Sequence, residues 1–138
     1  MRAVLDPNVI ISAVLSPSGS PAKVMRAWLD GAYELILSPL LLEELERALG
    51  YPKLRARVTD AETQELLELL RRGADVSDDP SGPPPVRSPD PGDDYLIALA
   101  AATQALIVSG DRHLLGLSEA VPIYAPAEFL TLIEGDRS

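Results

Sequence analysis

With no cysteine and one histidine, His113, against twenty-one Asp and Glu residues, the reactive side chains of this chain are almost all carboxylates. Two of them share a position. Asp6 closes the apolar run Ala3 to Leu5, and Asp111 follows the run Ala105 to Ser109, so each acid lies just past the C-terminal end of a predicted strand. Open α/β sheets bind ligands in that crevice. Two further acids belong near the same edge. Glu44 lies on a predicted helix over 39–49 with Leu40, Leu41 and Ala48 around it, whereas Glu43 neighbours Glu46 and Arg47 on the solvated face. Asp93 and Asp94 open the helix that begins DDYLIALAAA.

Each acid also has a plain structural reading. Asp6 and Asp111 suit helix caps, Asp93 and Asp94 gain from the positive end of a helix dipole, and Glu44 can reach water from a helix boundary. Convergence separates the readings. Carboxylates about 4 Å apart repel by roughly 4 kcal/mol at an effective dielectric of about 20, so a cluster needs protons or a cation. Oxygen-only ligands suit Mg²⁺ or Mn²⁺, which keep water and complete their shell from substrate phosphate. The chemistry indicated is metal-assisted hydrolysis of a phosphodiester. His113, two residues after Asp111, reads as a cap or packing residue rather than a general base.

The elements that must position these acids alternate in type. Strands are expected at 3–5, 34–37, 105–109 and 121–124. Ser20-Pro21 and Ser38-Pro39 read as N-caps with proline in the first turn, and Thr59 or Asp60 opens a third helix through Arg72. Its Glu62, Glu65 and Glu68 stripe reads as solvated. Gly31, Gly50 and Gly135 are expected helix stops. The pattern predicts an α/β fold with a mostly parallel sheet of four or five strands flanked by helices. Six of thirteen prolines fall within residues 77–92, which excludes helix or inner strand there. The short remainder beyond it favours a surface excursion inside one domain spanning 1–138 over an interdomain linker. Trp28, at helical spacing from Val24, is expected in the core.

A net charge of -9 opposes a nucleic-acid binder held by a basic surface, yet residues 1–59 sum to +1 and residues 60–138 to -10. Arg47, Lys53, Arg55 and Arg57 form the one basic cluster, either an RNA- or partner-facing patch or a solvated helix end. No run suits a membrane span or a secretion signal, and a cytoplasmic protein is expected.

VLDPNVIISAVL, LSPLLLEELERAL, DPGDDYLIALAAA, LIVSGDRHLL and IYAPAEFL, in this order and spacing, resemble the PIN-domain ribonucleases, in particular the toxins of toxin-antitoxin pairs. The resemblance implies a three-layer PIN-like domain and a Mg²⁺- or Mn²⁺-dependent endoribonuclease, dimeric and silenced by a cognate antitoxin. Carried over by position, its acidic metal site falls on Asp6, Glu44, Asp94 and Asp111. Asn8 and Ser109 are supporting polar residues, and Asp93 is accessory or structural. The chain departs from the family at Pro7, where a threonine or another small residue is usual. Two other readings remain open: a non-catalytic binding module, and a phosphohydrolase using Asp6 as nucleophile. The latter lacks the second acid two residues on, where Asn8 stands.

Overall fold

A computed structural model describes residues 1–137. Five strands, β1 (Arg2–Leu5), β2 (Glu34–Leu37), β3 (Asp75–Val76), β4 (Leu106–Val108) and β5 (Ile123–Tyr124), form one sheet in the order β3-β2-β1-β4-β5. Every pairing is parallel. The predicted α/β class is therefore present, with an all-parallel sheet. β1 is central, and its Ala3, Val4 and Leu5 are all fully buried. Because successive side chains point to opposite faces, burial of all three means that helices cover both faces.

Helices α1 (Pro7–Leu15), α2 (Ser20–Leu29), α3 (Pro39–Leu49), α4 (Pro52–Arg55) and α5 (Asp60–Gly73) lie in the first half of the chain. A 3₁₀ turn (Pro91–Asp93) precedes α6 (Asp94–Thr103), and α7 (Arg112–Leu115) and α8 (Pro126–Arg137) follow. α6 packs on β1 and β4, and α1, α2 and α8 pack in sequence. Leu96 to Ala100 of α6 are all buried, as its nearly continuous apolar run requires.

Capping explains most boundaries. Ser38 Oγ accepts the Leu41 N–H at the start of α3. At α5, Thr59 and Glu62 satisfy each other's backbone N–H groups, a capping box, so Glu62 is engaged rather than part of a free charge stripe. Gly19, not Ser20, is the N-cap of α2, and Ser20 is its first helical residue. Gly31 follows α2 with φ +82°, a conformation glycine adopts without strain. Gly135 does not stop α8, which runs to Arg137, since a glycine can remain helical where no turn demands positive φ.

Core packing has two specific joints. Tyr33 meets Phe129 edge-on, with ring centroids 4.9 Å apart, and donates its hydroxyl to the Val24 carbonyl at 2.9 Å. Trp28 is buried against Gly73, where an added Cβ would stand 2.9 Å from Trp28 Cζ2. β3 was not expected from the sequence; it is a two-residue, exposed edge strand. No described helix is long and apolar enough to cross a membrane.

The proline-rich stretch is tied to the sheet edge from which the acids project. Ser77 N–H donates to the Leu37 carbonyl at 2.8 Å, just beyond the β2–β3 pairing. Two residues on, Asp79 Oδ2 accepts the Leu40 N–H in the first turn of α3 at 2.9 Å.

Candidate active site

In the observed strand order, β1 leads through β2 to β3 on one side while β4 and β5 lie on the other. The chain thus reverses its direction of sheet growth between β1 and β4, leaving a crevice at their C-terminal ends. Asp6 directly follows β1 and Ser109 directly follows β4. Asp6 is 5% exposed and Ser109 fully buried. The Ser109 hydroxyl donates to Asp6 Oδ2 at 2.8 Å, and the Asn8 N–H donates to Asp6 Oδ1 at 3.0 Å. Ser109 Oγ also accepts the Asp111 N–H at 3.0 Å, so one hydroxyl joins both strand ends. The Asn8 contribution comes from its backbone.

Pro7 fits this arrangement. Asp6 has φ -55° and ψ 136°, the extended backbone favoured before proline, and Pro7 occupies the first turn of α1, where its missing N–H has no partner to lose. Asp6 serves as cap and as buried acid at once. Burial raises its pKa most, Asn8 and Ser109 pull it back down, and the charge of Asp111 raises it again. Asp111 caps α7, its Oδ1 accepting the His113 N–H at 2.7 Å and the Leu114 N–H at 3.4 Å.

The neighbouring pair Asp93 and Asp94 divides. Asp93 is pushed up to about 6, first by burial, then by the charges of Asp6, Asp90 and Asp111, with His113 opposing. Its Oδ2 is buried without a hydrogen-bond partner. Asp94 faces the proline-rich segment instead: Oδ1 accepts the Ser88 N–H at 2.7 Å and Oδ2 contacts Arg87 Nη1 at 3.2 Å. Asp93 thus shares the field of Asp6 and Asp111, while Asp94 is engaged from outside. Glu44 is ion-paired with Arg47.

Tyr95 lies in the electrostatic field of both the outlying and the central acids. Its pKa is raised by burial, then by Asp6, Glu44, Asp93 and Asp79. Nothing in the residue pattern singles out Tyr95 or Asp79. The position of Tyr95 immediately after the two acids was the available signal.

Among the described residues, no three His, Asp or Glu side chains are drawn together tightly enough to hold a metal ion as they stand. The donor chemistry nevertheless suits a hard divalent cation, with oxygen ligands only, a desolvated carboxylate on Asp6, an unpartnered oxygen on Asp93 and mutual repulsion with Asp111. A cavity of about 290 Å³ beside this group is lined by Asn8, Ser12, Gly110 and Asp111. A larger one of about 590 Å³, lined by residues including Met1, Glu34 and Asp75, lies at the opposite, N-terminal edge of the sheet.

The basic cluster is mostly occupied locally. Arg47 pairs with Glu44, Arg55 stands 3.7 Å from Asp60, and Arg57 Nη2 donates to the Leu15 carbonyl at 3.2 Å. Lys53 is exposed, with no ion pair among the described residues.

Asp6 and Asp111 thus lie at the switch point of a parallel α/β sheet, the place where such sheets bind ligands. A family model described as the PIN domain matches residues 2–113, and the chain belongs to that family. Uncharacterized protein MJ1680 of Methanocaldococcus jannaschii is 29% identical over 127 residues, covering 86% of this chain and 76% of that protein. The fold is shared with the structure of VapBC2 from Rickettsia felis bound to a DNA fragment from its promoter. That likeness has a TM-score of 0.59 at 14% identity and covers 90% of this chain and 97% of that one. FitAcB from Neisseria gonorrhoeae aligns with a TM-score of 0.54 at 20% identity, covering 91% and 98%.

Proposed function

We propose that this chain is a metal-dependent endoribonuclease, one domain over residues 1–138, and the toxin of a toxin-antitoxin pair. The observation that carries the reading is the Asp6 carboxylate, buried at the switch point, fixed by Ser109 and Asn8, and lying in the field of Asp93 and Asp111. Asp6, Glu44, Asp94 and Asp111 are the proposed acidic set for Mg²⁺ or Mn²⁺, with Asp93 beside them. A divalent cation held by these carboxylates would supply Lewis acidity toward the scissile phosphate and would make the attacking water more acidic.

The chain's own groups do the rest. Ser109 and Asn8 hold Asp6 in one orientation and favour its ionised form. Asp93, with its buried, unpartnered oxygen beside Asp6 and Asp111, is placed to orient a water in the site. Asn8 and Ser12 line the adjoining cavity and offer polar contacts to the RNA strand. Membership of the PIN family supports the nuclease class, and the folds shared with VapBC2 and FitAcB support a cognate antitoxin as partner. A homodimer in the cytoplasm belongs to the same proposal. Lys53, with Arg47, Arg55 and Arg57, offers a weaker surface for RNA or antitoxin.

The test is incubation of purified protein with mixed RNA and Mg²⁺ or Mn²⁺, with and without chelator, beside Asp6→Asn and Asp111→Asn. Cleavage should require the metal and both acids. Cleavage that persists in chelator and in both variants sinks the reading. One observation favours a second reading, a non-catalytic binding module: Glu44 and Asp94 are each paired with an arginine rather than free to receive a cation. Folded wild-type protein that binds RNA without ever cutting it would decide for the module.

A further inference from the structure

The proline-rich segment carries a cation to an acidic site. Of the five basic residues beyond residue 59, Arg87 is the one ion-paired to a proposed site acid among the described residues. Its side chain is 70% exposed while that of Asp94 is 14% exposed, so the acid is largely enclosed and the arginine reaches it from the solvent side through one nitrogen, Nη1. The backbone beneath it is held. Ser88 is buried, and its N–H donates to Asp94 Oδ1 at 2.7 Å. Ser88 Oγ accepts the Asp90 N–H at 3.2 Å, and Asp90 Oδ1 accepts the Gly92 N–H at 3.0 Å, closing a run of local bonds from Gly92 back to Asp94. Asp79 fixes the other end on α3. Pro83, Pro84, Pro85 and Pro89 flank Arg87 and limit the backbone entropy left to lose.

We infer that Arg87, held by Asp94 at the end of this strap, is a substrate-binding residue that grips a backbone phosphate of RNA beside the acidic site. The inference rests on the ribonuclease reading. Guanidinium has five donors in a planar fork, and one nitrogen on Asp94 leaves others for a bidentate grip on phosphate. Asp94 is then a positioning residue for Arg87 in addition to its proposed place among the acids. The contact also answers the charge problem, since it puts one oriented cation where a chain of net charge -9 has to accept a polyanion.

The experiment measures binding of a fluorescein-labelled, mixed-sequence single-stranded RNA by anisotropy across a KCl series, with chelator present to prevent cleavage. Wild type is compared with Arg87→Gln, Arg87→Lys and Asp94→Asn. Loss of one phosphate contact should weaken binding about tenfold at low salt and reduce the slope of log Kd against log salt by about 0.7. Arg87→Lys should keep the slope, because the charge remains, while losing affinity with the fork. Asp94→Asn leaves the Arg87 charge in place, so it should keep the slope while losing affinity with the lost positioning, and it should speed amide exchange in the segment around Ser88. In cleavage with metal, Arg87→Gln should raise KM with kcat retained. An unchanged salt slope in Arg87→Gln, with wild type binding and cutting RNA normally, overturns this inference alone. Wild type that neither binds nor cuts RNA overturns the ribonuclease reading and this one with it.

Discussion

Removing the Ser109 hydroxyl by Ser109→Ala takes one donor from Asp6 and one acceptor from the Asp111 N–H. The first loss is charge-assisted and buried, about 2 kcal/mol when Asp6 is ionised, and the second, half-buried, adds up to about 1 kcal/mol. Because burial raises the folded pKa of Asp6 above its ordinary 3.8, the folded state holds its proton longer than the unfolded chain. Stability from this group therefore declines as pH rises from the unfolded value through the folded one, and is level above it. Ser109 limits that decline by favouring the charged form. The cost of Ser109→Ala should then be about 2–3 kcal/mol at about pH 8, and nearer 1 kcal/mol in acid, where Asp6 is protonated. In thermal unfolding this is a drop of roughly 4 °C per kcal/mol for a chain of this length. Urea unfolding in chelator at about pH 3, below the ordinary value that burial raises, and at about pH 8 measures both costs. Equal costs at the two pH values would show that the hydroxyl only fills space, and the electrostatic account of Asp6 would be wrong.

Asp93 should give the opposite sign. With its carboxyl pushed up to about 6, it weakens the metal-free fold as pH rises from about 4 to 6, so Asp93→Asn should be more stable than wild type at neutral pH and no more stable in acid. Unfolding midpoints across pH, in chelator, check this, and a gain that does not vary with pH tells against like-charge crowding. Gly73→Ala places a methyl 2.9 Å from Trp28 and should cost about 1–3 kcal/mol in urea unfolding. Gly82→Ala, with nothing within 4 Å, is its neutral control.

Much of this arrangement was legible in the residues. Alternating apolar runs, the Ser38-Pro39 start and a cap at Thr59 or Asp60 located β1, β2, β4, α3 and α5, because each signal is local and physical, whereas the engagement of Glu62 in that cap was not read. The placement of Asp6 and Ser109 was legible too, since both end strands of a sheet whose connections are constrained to be parallel. β3 was not, because two exposed residues carry no apolar pattern and pair only where Leu37 offers an edge. Whether Asp93 or Asp94 would turn toward Asp6 was equally hidden. Adjacent helical residues differ by about 100°, and the 3₁₀ turn before α6 sets which one faces inward. Arg87 sits in a segment without period, and its partner Asp94 had already been given another role. Pro7 departs from the family pattern, yet in the fold it is a good first-turn residue.

The bond between Ser109 and Asp6 spans 103 residues of chain. Such a long-range closure is paid for in loop entropy before it returns any contact, so it belongs to the late stages of folding. During synthesis, a chain that has not yet added β4 carries Asp6 with no hydroxyl to orient it and no Asp111 beside it. For a protein whose proposed activity is the destruction of RNA, the completed sheet is then a safety catch. Asp6 meets Ser109 and Asp111 only once both β1 and β4 have been made and paired.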